Sequence, residues 1–175
     1  MNETVLHDVV KNLREEQHVL EIGCFEGMSS VFFAKYLLQH PESSMSCVDP
    51  FTDIEDNDHA EFLSRDQEKR FLHNISVCPN SSKIKVFRMT SDEFFAQNKE
   101  KFTFVYIDGC PRTEAVRKDM NNALNALVPG GIMWMDDFRG GEDDRLKKVM
   151  VDFFMKNVHR VRIVHKDYQL ALQKL

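Results

Sequence analysis

The chain has 175 residues, of which 42% are hydrophobic and 29% are charged. Such a length and composition suit one domain with one core, and they exclude a mostly disordered chain, a collagen and a disulfide miniprotein. The 23 Lys and Arg against 28 Asp and Glu give a net charge of −5. This balance argues against a nucleic-acid or anionic-membrane binder, which usually carries a basic surplus. We expect a single domain over 1–175, with an N-terminal helix in 1–17 and a core in 18–175.

The apolar runs and the cysteines indicate the cellular compartment to expect. No run approaches the ~18 apolar residues of a membrane-spanning helix, and the polar N-terminus lacks the apolar centre of a signal peptide. The four cysteines (Cys24, Cys47, Cys78 and Cys110) form no CxxC pair and no zinc-binding spacing. We therefore expect reduced thiols in a cytoplasmic protein with no membrane partner.

Short apolar runs alternate with segments of helical periodicity. Strands are predicted at 19–24, 45–49, 84–89, 102–108, 131–136 and 161–165. Helices are predicted at 5–13, 27–40, about 58–77, from Ser91, at 116–127 and at 146–154. This alternation is typical of a mostly parallel sheet with helices on both faces. After the sixth strand only Lys166 and Asp167 precede another alternating segment, which predicts a closing antiparallel hairpin.

The first strand runs into a turn that begins at Gly23 and ends at Gly27, before a helix. Ligands of open α/β sheets bind beyond the carboxyl ends of the strands, and glycine lets a backbone approach them closely. A dinucleotide fingerprint would need glycine where Phe25 stands, so the turn fits a ligand without a pyrophosphate. A purely structural turn is the alternative.

The second strand ends in Asp49 and Pro50, with Asp49 lying 22 residues after Gly27. In folds of this kind, a carboxylate at that place holds ribose hydroxyls. The alternative for Asp49 is a turn-forming aspartate before a proline.

These ordered motifs resemble the class I S-adenosylmethionine-dependent methyltransferases over about residues 15–175. The resemblance rests on the segment 21–27, on Asp49, on Ser91-Asp92, on FVYIDG at 104–109 and on LVPGGIMWMDDF at 127–138. The sequence is most similar to small-molecule O-methyltransferases of the family 24 type. The resemblance implies an α/β, Rossmann-like three-layer sandwich whose mostly parallel seven-stranded sheet has the order 3-2-1-4-5-7-6, with strand 7 antiparallel.

The resemblance also implies an S-adenosylmethionine site at the carboxyl ends of strands 1 to 4. The implied cofactor-binding residues are Glu21, Gly23, Cys24, Phe25, Gly27, Asp49, Pro50, Ser91, Asp92 and Asp108. The glycine turn would contact the methionine part of the cofactor, with Glu21 supporting the loop. Asp49 would accept hydrogen bonds from the ribose, and Ser91 and Asp92 would lie beside the adenine. For Asp92, an acidic residue in the first turn of a helix is the equal alternative.

Asp108 ends the fourth strand, and Asp136 and Asp137 end the neighbouring fifth. Three carboxylates at one edge are costly unless a cation joins them, and oxygen ligands suit Mg²⁺ or another divalent cation. In the metal-dependent O-methyltransferases that the sequence resembles, equivalent positions bind such a cation. The alternatives are a metal-free site with Asp108 as general base or substrate anchor, and capping of the next helix by Asp136 and Asp137.

The leading hypothesis is methyl transfer to a hydroxyl oxygen of a small-molecule or sugar acceptor. The cleft would be open, closed by the acidic residues 51–60, or closed by another subunit of a homodimer. The second hypothesis is a non-catalytic cofactor-binding or interaction protein, because Cys110-Pro111 stands where relatives often continue Ser-His. A nicotinamide-dependent oxidoreductase ranks third, since the middle glycine of its fingerprint is missing.

Overall fold

A computed structural model describes residues 3–10, 13, 15–51, 66–139 and 144–175. The strands are β1 (His18–Ile22), β2 (Ser44–Val48), β3 (Ile84–Phe87), β4 (Phe102–Ile107), β5 (Leu127–Met135), β6 (Val161–Lys166) and β7 (Leu170–Lys174). The helices are α1 (Glu3–Val10), α2 (Met28–Tyr36), α3 (Gln67–Ser76), α4 (Ser91–Gln97), α5 (Thr113–Ala126) and α6 (Arg145–Lys156), with a 3₁₀ turn at Ser81–Lys83. None of these helices is long and apolar enough to cross a membrane.

All seven strands form one sheet in the order β3-β2-β1-β4-β5-β7-β6. The strands from β3 to β5 pair in parallel, whereas β7 runs antiparallel to both β5 and β6. The predicted order and the antiparallel seventh strand are therefore confirmed.

Strand side chains alternate between two apolar layers, because successive residues of a strand point to opposite faces. In β4, Phe104 and Tyr106 pack in the layer of α1, α2 and α3, and Val105 and Ile107 pack in the layer of α4, α5 and α6. The sheet is thus covered on both sides, and its carboxyl edge is left for a ligand.

A capping box starts α4. The Thr90 hydroxyl accepts a hydrogen bond from the Glu93 N–H at 3.3 Å, and the Glu93 carboxylate accepts one from the Thr90 N–H at 2.8 Å. The helix begins at Ser91 as predicted, its N-cap residue is Thr90, and Asp92 lies in its first turn.

Most strand boundaries differ from the prediction by one or two residues, and the start of β5 and the position of the last turn differ for a physical reason. β5 begins at Leu127, four residues before the predicted start, and its pairing with β4 is irregular between Phe102 and Phe104. Pro129 and Gly130 lie in this stretch, and proline cannot donate to a ladder. The last hairpin turns over 167–169 instead of 166–167, because Gln169 is buried and its side chain donates to the Tyr106 hydroxyl at 3.4 Å.

The predicted third helix, at about 58–77, is described only from its C-terminal half, as α3. Its start, and the predicted acidic lid at 51–60 apart from Phe51, lie outside the described residues.

We predict that Phe104→Ala lowers the free energy of unfolding by about 3–5 kcal/mol. Phe104 is fully buried, and its ring lies 5.4 Å from that of Phe33 and 6.5 Å from that of Trp134. Urea denaturation measures the loss. The control Val151→Ala removes an exposed side chain from α6, and we expect a change within about 0.5 kcal/mol. Equal losses in both variants would contradict the central place of Phe104.

Candidate active site

The glycine turn brings the ends of β1 and β4 together. The Gly23 N–H donates to the Val48 carbonyl at 3.0 Å, and the Asp108 N–H donates to the Ile22 carbonyl at 2.9 Å. Gly23 has φ +81°, and a Cβ at this position would overlap the Asp108 carbonyl group. Glycine is therefore required here both for its positive φ and for the close approach of two backbones.

The rest of the turn leads into α2. Gly27, at φ +88°, is the N-cap residue of α2, and its N–H donates to the Cys24 carbonyl at 2.8 Å. Phe25 adopts φ +48° with its side chain about half exposed, a backbone conformation that is uncommon for a bulky residue. The turn thus presents an aromatic ring at the mouth of the site.

Asp49, at the end of β2, links the loop after β1 to the loop after β2 through hydrogen bonds. One carboxylate oxygen accepts hydrogen bonds from the Cys24 N–H at 2.8 Å and the Phe25 N–H at 3.2 Å, and the other accepts from the Phe51 N–H at 2.7 Å. A carboxylate offers about four lone-pair sites, so Asp49 keeps the capacity to accept a ligand hydroxyl.

Glu21 is fully buried beneath the turn. Its carboxylate accepts hydrogen bonds from the hydroxyls of Ser29 and, at 2.5 Å, of Ser30, which fastens β1 to the start of α2. Desolvation raises the pKa of Glu21 to about 7, although these hydroxyls partly oppose the shift. Glu21 therefore holds the end of β1 to the start of α2 from beneath the turn.

A cavity of about 360 Å³ opens at the carboxyl ends of the strands. Six of the predicted residues line it: Gly23, Phe25, Asp49, Pro50, Ser91 and Asp108. Glu21, Cys24 and Gly27 shape the turn behind the cavity wall. Asp92 points elsewhere, because its exposed carboxylate pairs with Lys118 of α5 at 3.0 Å.

The cavity wall also contains residues that are not among the predicted cofactor-binding residues. They are Ile22, Val48, Gln67, Thr90, Gly109, Cys110, Arg112 and Asp119. Asp119 had a sequence signal, because it interrupts the apolar stripe of α5 between Val116 and Met120. Its side chain is only 2% exposed.

The Asp108 carboxyl group lines the cavity, and its pKa is raised. Its side chain is reached by solvent, yet partial desolvation and then the charges of Asp136 and Asp137 raise the pKa of Asp108 to about 8. A carboxyl group with such a pKa can gain or lose a proton near neutral pH.

Asp136 and Asp137 are both engaged by neighbours. The Tyr106 hydroxyl donates to Asp136 at 2.7 Å, and the Asp137 N–H donates to its other oxygen at 2.9 Å. The Tyr168 hydroxyl donates to Asp137 at 2.7 Å. In the part of the chain that the structure describes, the next helix begins at Arg145 and its N-cap residue is Asp144, so Asp136 and Asp137 do not cap it.

The predicted metal ligands do not converge. Among the described residues, one group of three metal-type ligands has its atoms within 4.8 Å of one another, and it is Glu21, Cys24 and Cys47. Burial raises the pKa of the Cys24 thiol well above its usual value, which favours the protonated form over a metal-binding thiolate. Asp108, Asp136 and Asp137, as placed, do not fit one divalent cation, and no step proposed below passes through a metal.

The family model for a methyltransferase domain matches residues 20–138, more than half of the chain. The chain belongs to this methyltransferase family. The predicted membership of the class I S-adenosylmethionine-dependent methyltransferases is thereby confirmed. No curated protein sequence gives a significant match.

Solved structures of low sequence identity share the fold. The O-methyltransferase TomG from Streptomyces achromogenes, in complex with SAM, has a TM-score of 0.65 and 16% identity over 99% of this chain and 78% of its own. An rRNA methylase from Streptococcus thermophilus has a TM-score of 0.65 and 11% identity over 98% of this chain and 95% of its own. The TDP-rhamnose 3′-O-methyltransferase CalS11 has a TM-score of 0.64 and 15% identity over 98% of this chain and 76% of its own.

We predict that Gly23→Ala destabilises the methyltransferase far more than Gly130→Ala. Both glycines have φ near +80°, but a Cβ at Gly130 would meet nothing within 4 Å, whereas one at Gly23 would overlap Asp108. The positive φ alone costs about 1–2 kcal/mol in each variant. Urea denaturation measures both losses, and their difference isolates the steric overlap. Similar losses would show that the turn can move away from β4.

We predict that Glu21 makes the fold less stable as pH rises from about 4.5 to 7. The folded protein holds the proton of Glu21 up to pH about 7, whereas the unfolded chain releases it near 4.5. The stabilisation is therefore complete at low pH and is lost as pH rises, by about 3 kcal/mol in total.

Thermal melts of wild type and Glu21→Gln between pH 5 and 8 test this dependence. The amide does not titrate, so the Gln variant should lose this part of the pH slope. Glu42→Gln alters an exposed carboxylate and should keep the slope. An unchanged slope in Glu21→Gln would show that Glu21 titrates normally.

Proposed function

We propose that this methyltransferase moves a methyl group from S-adenosylmethionine to a hydroxyl oxygen of a small molecule or sugar. The observation that carries the proposal is the cavity at the carboxyl edge, where the Gly23 turn, Asp49 and the weakly acidic Asp108 meet. S-adenosylmethionine supplies an electrophilic methyl group on a positively charged sulfur.

The residues of the cavity suit such a cofactor in size and charge. Gly23 lets the backbone approach the methionine part, and Asp49 retains lone pairs for the ribose hydroxyls. Ser91 lies at the part of the wall that follows β3. Carboxylates along the edge create a negative potential, which attracts a cation and stabilises it inside the cleft.

Asp108 serves as the general base or as the anchor of the acceptor. With a pKa of about 8 it is only partly ionised at pH 7 in the free protein. A positive charge brought close to it lowers this pKa and leaves a carboxylate ready to accept the hydroxyl proton. Holding the hydroxyl oxygen in line with the methyl carbon supplies much of the remaining acceleration.

Oxygen is the favoured acceptor atom for a chemical reason. A neutral hydroxyl is a weak nucleophile and gains from a base at hydrogen-bond distance. The structural similarity to TomG and CalS11, both named as O-methyltransferases, supports the same choice.

Calorimetric titration with S-adenosylmethionine and S-adenosylhomocysteine, followed by methyl-transfer assays on catechols and sugars, tests the proposal. We predict that Asp108→Asn still binds both compounds but transfers the methyl group about 10²–10⁴-fold more slowly. Asp152→Asn removes an exposed carboxylate from α6 and should transfer at the wild-type rate. Absence of binding would overturn the proposal.

The pH dependence of the transfer rate distinguishes a catalytic base at Asp108 from a residue that only lines the cavity. Because Asp108 accepts a proton only when ionised, the rate should rise with pH up to a pKa at or below about 8. Asp108→Asn should lose this acidic limb. Tight cofactor binding without transfer to any acceptor would favour the non-catalytic hypothesis, and a rate that falls with EDTA would favour the predicted metal site.

A further inference from the structure

A serine, a histidine and a glutamate are hydrogen-bonded to one another at the amino ends of β1 and β2, the edge of the sheet opposite the cavity. His18 begins β1 and Ser44 begins β2, and the two residues are register partners in the parallel pair. The His18 Nδ1 atom lies 2.9 Å from the Ser44 Oγ atom, and the His18 Nε2 atom lies 2.9 Å from a carboxylate oxygen of Glu16. We call Glu16, His18 and Ser44 the amino-edge triad.

The glutamate sets the direction of both hydrogen bonds. A carboxylate offers only lone pairs, so the neutral His18 ring carries its hydrogen on Nε2 and donates it to Glu16. The Nδ1 atom is then the acceptor, and the Ser44 hydroxyl donates to it. A hydroxyl in this position can pass its proton to the ring as its oxygen attacks a carbonyl carbon. Ser44, His18 and Glu16 thus stand as nucleophile, general base and orienting carboxylate.

Hydrogen bonds from the main chain hold the two strand ends that carry the triad. The Ser44 N–H donates to the Gln17 carbonyl at 2.9 Å, and the Gln17 N–H donates to the Ser43 hydroxyl at 2.9 Å. The Thr103 hydroxyl, from β4, accepts from the His18 N–H at 2.9 Å and donates to the Gln17 side chain at 2.8 Å. The backbone beside the nucleophile and the base is therefore fixed, which favours a reactive orientation of the two groups.

The exposure of the triad narrows the class of substrate. The side chains of His18 and Glu16 are 38% and 47% exposed, and Ser44 is partly exposed, so a small molecule can reach the hydroxyl from solvent. At a solvated site water stabilises the developing oxyanion much as it does in free solution, which leaves the acceleration to the base. Such a site fits a small ester with a good leaving group, such as an aryl acetate.

We propose that the amino-edge triad hydrolyses small activated esters, an activity separate from methyl transfer. The Ser44 Oγ atom bonds to the ester carbonyl carbon while its proton moves to His18 Nδ1, and Glu16 stabilises the resulting imidazolium. The bond from that carbon to the leaving oxygen breaks, the phenolate departs with the electron pair, and His18 releases its proton to solvent. Water then loses a proton to His18 and attacks the acyl group, and the Ser44 oxygen leaves and takes that proton back. The products are one phenolate and one carboxylic acid.

Reaction with p-nitrophenyl acetate tests the nucleophile and the base. Release of p-nitrophenolate gives the rate, and mass spectrometry after an acid quench locates the acetyl group, which we expect on Ser44. Acetylation of Ser44 should fall about 10²–10⁴-fold in His18→Ala, the share of a general base. His18→Asn should show the same loss, because its amide can still bond to Ser44 but cannot accept the proton. Ser44→Ala should abolish acetylation of this segment.

Matched controls come from α3. Ser76 is an exposed serine whose hydroxyl donates to the His73 carbonyl at 2.7 Å, and His73 is an exposed histidine. Ser76→Ala and His73→Ala remove the same side chains outside the triad, so Ser44 should be acetylated at the wild-type rate in both. Thermal melts establish that each variant is folded.

Glu16 acts through His18 as a positioning residue, and ¹⁵N NMR of the His18 ring reads its effect directly. Wild type should show the hydrogen on Nε2. Glu16→Ala should mix the two tautomers and slow acetylation, whereas Glu16→Gln keeps an oxygen that accepts from Nε2 and should preserve the tautomer and most of the rate. Glu42→Gln alters an exposed carboxylate outside the triad and should change neither.

The proposal is overturned by acetyl groups found only on other residues, or by equal acetylation of Ser44 in wild type and a folded His18 variant. Either result leaves the proposed function standing, because the triad and the cavity lie at opposite edges of the sheet. Failure to bind S-adenosylmethionine, in turn, would leave the esterase proposal standing.

Discussion

The approach of the Gly23 backbone to the Asp108 carbonyl group is the constraint on which the site depends. It leaves no room for a side chain, so the turn after β1 and the end of β4 lie against each other. The cavity forms beside this contact because the turn then bends away into α2. Asp49 holds the bend through the Cys24 and Phe25 N–H groups, and Glu21 holds the start of α2 from below. The shape of the site is therefore fixed by backbone contacts and two acidic side chains.

The carboxylates of this edge divide into two kinds. Glu21 and Asp136 are buried and bonded to hydroxyl groups, so they stabilise the loops and the strand ends around the cavity. Asp108 and Asp119 face the cavity and have pKa values raised toward neutrality. Some carboxylates of this edge thus stabilise the fold, and others are placed where a ligand can contact them. Desolvation raises the pKa in both kinds, since it also brings the pKa of Glu21 to about 7, so position at the cavity and not acidity separates the two.

The strands and the closing hairpin could be predicted because their periodicity is a local signal in the sequence. Their order in the sheet came from the resemblance to a known family. Gly23 and Asp49, which line the cavity, could be picked out because each lies at the carboxyl end of a predicted strand. The partner of Asp92 could not be predicted, because its pairing with Lys118 depends on how α4 packs on α5. Asp119 was missed because the sequence does not show where an acidic residue within an apolar stripe will lie. Its place on the cavity wall depends on how α5 packs against α4. The start of β5 was misplaced because Pro129 masks an irregular strand.

Asp49 has a consequence for how this protein can change during evolution. Its carboxylate closes the loop after β1 and the loop after β2 at once, and it also faces the cavity. A substitution there would alter folding and ligand affinity together, so selection cannot adjust one without the other. Asp119 is buried on α5 and bonds to neither of these two loops, so a change of its side chain leaves both of them intact. Asp49 is therefore the carboxylate whose replacement changes the two loops and the cavity at once.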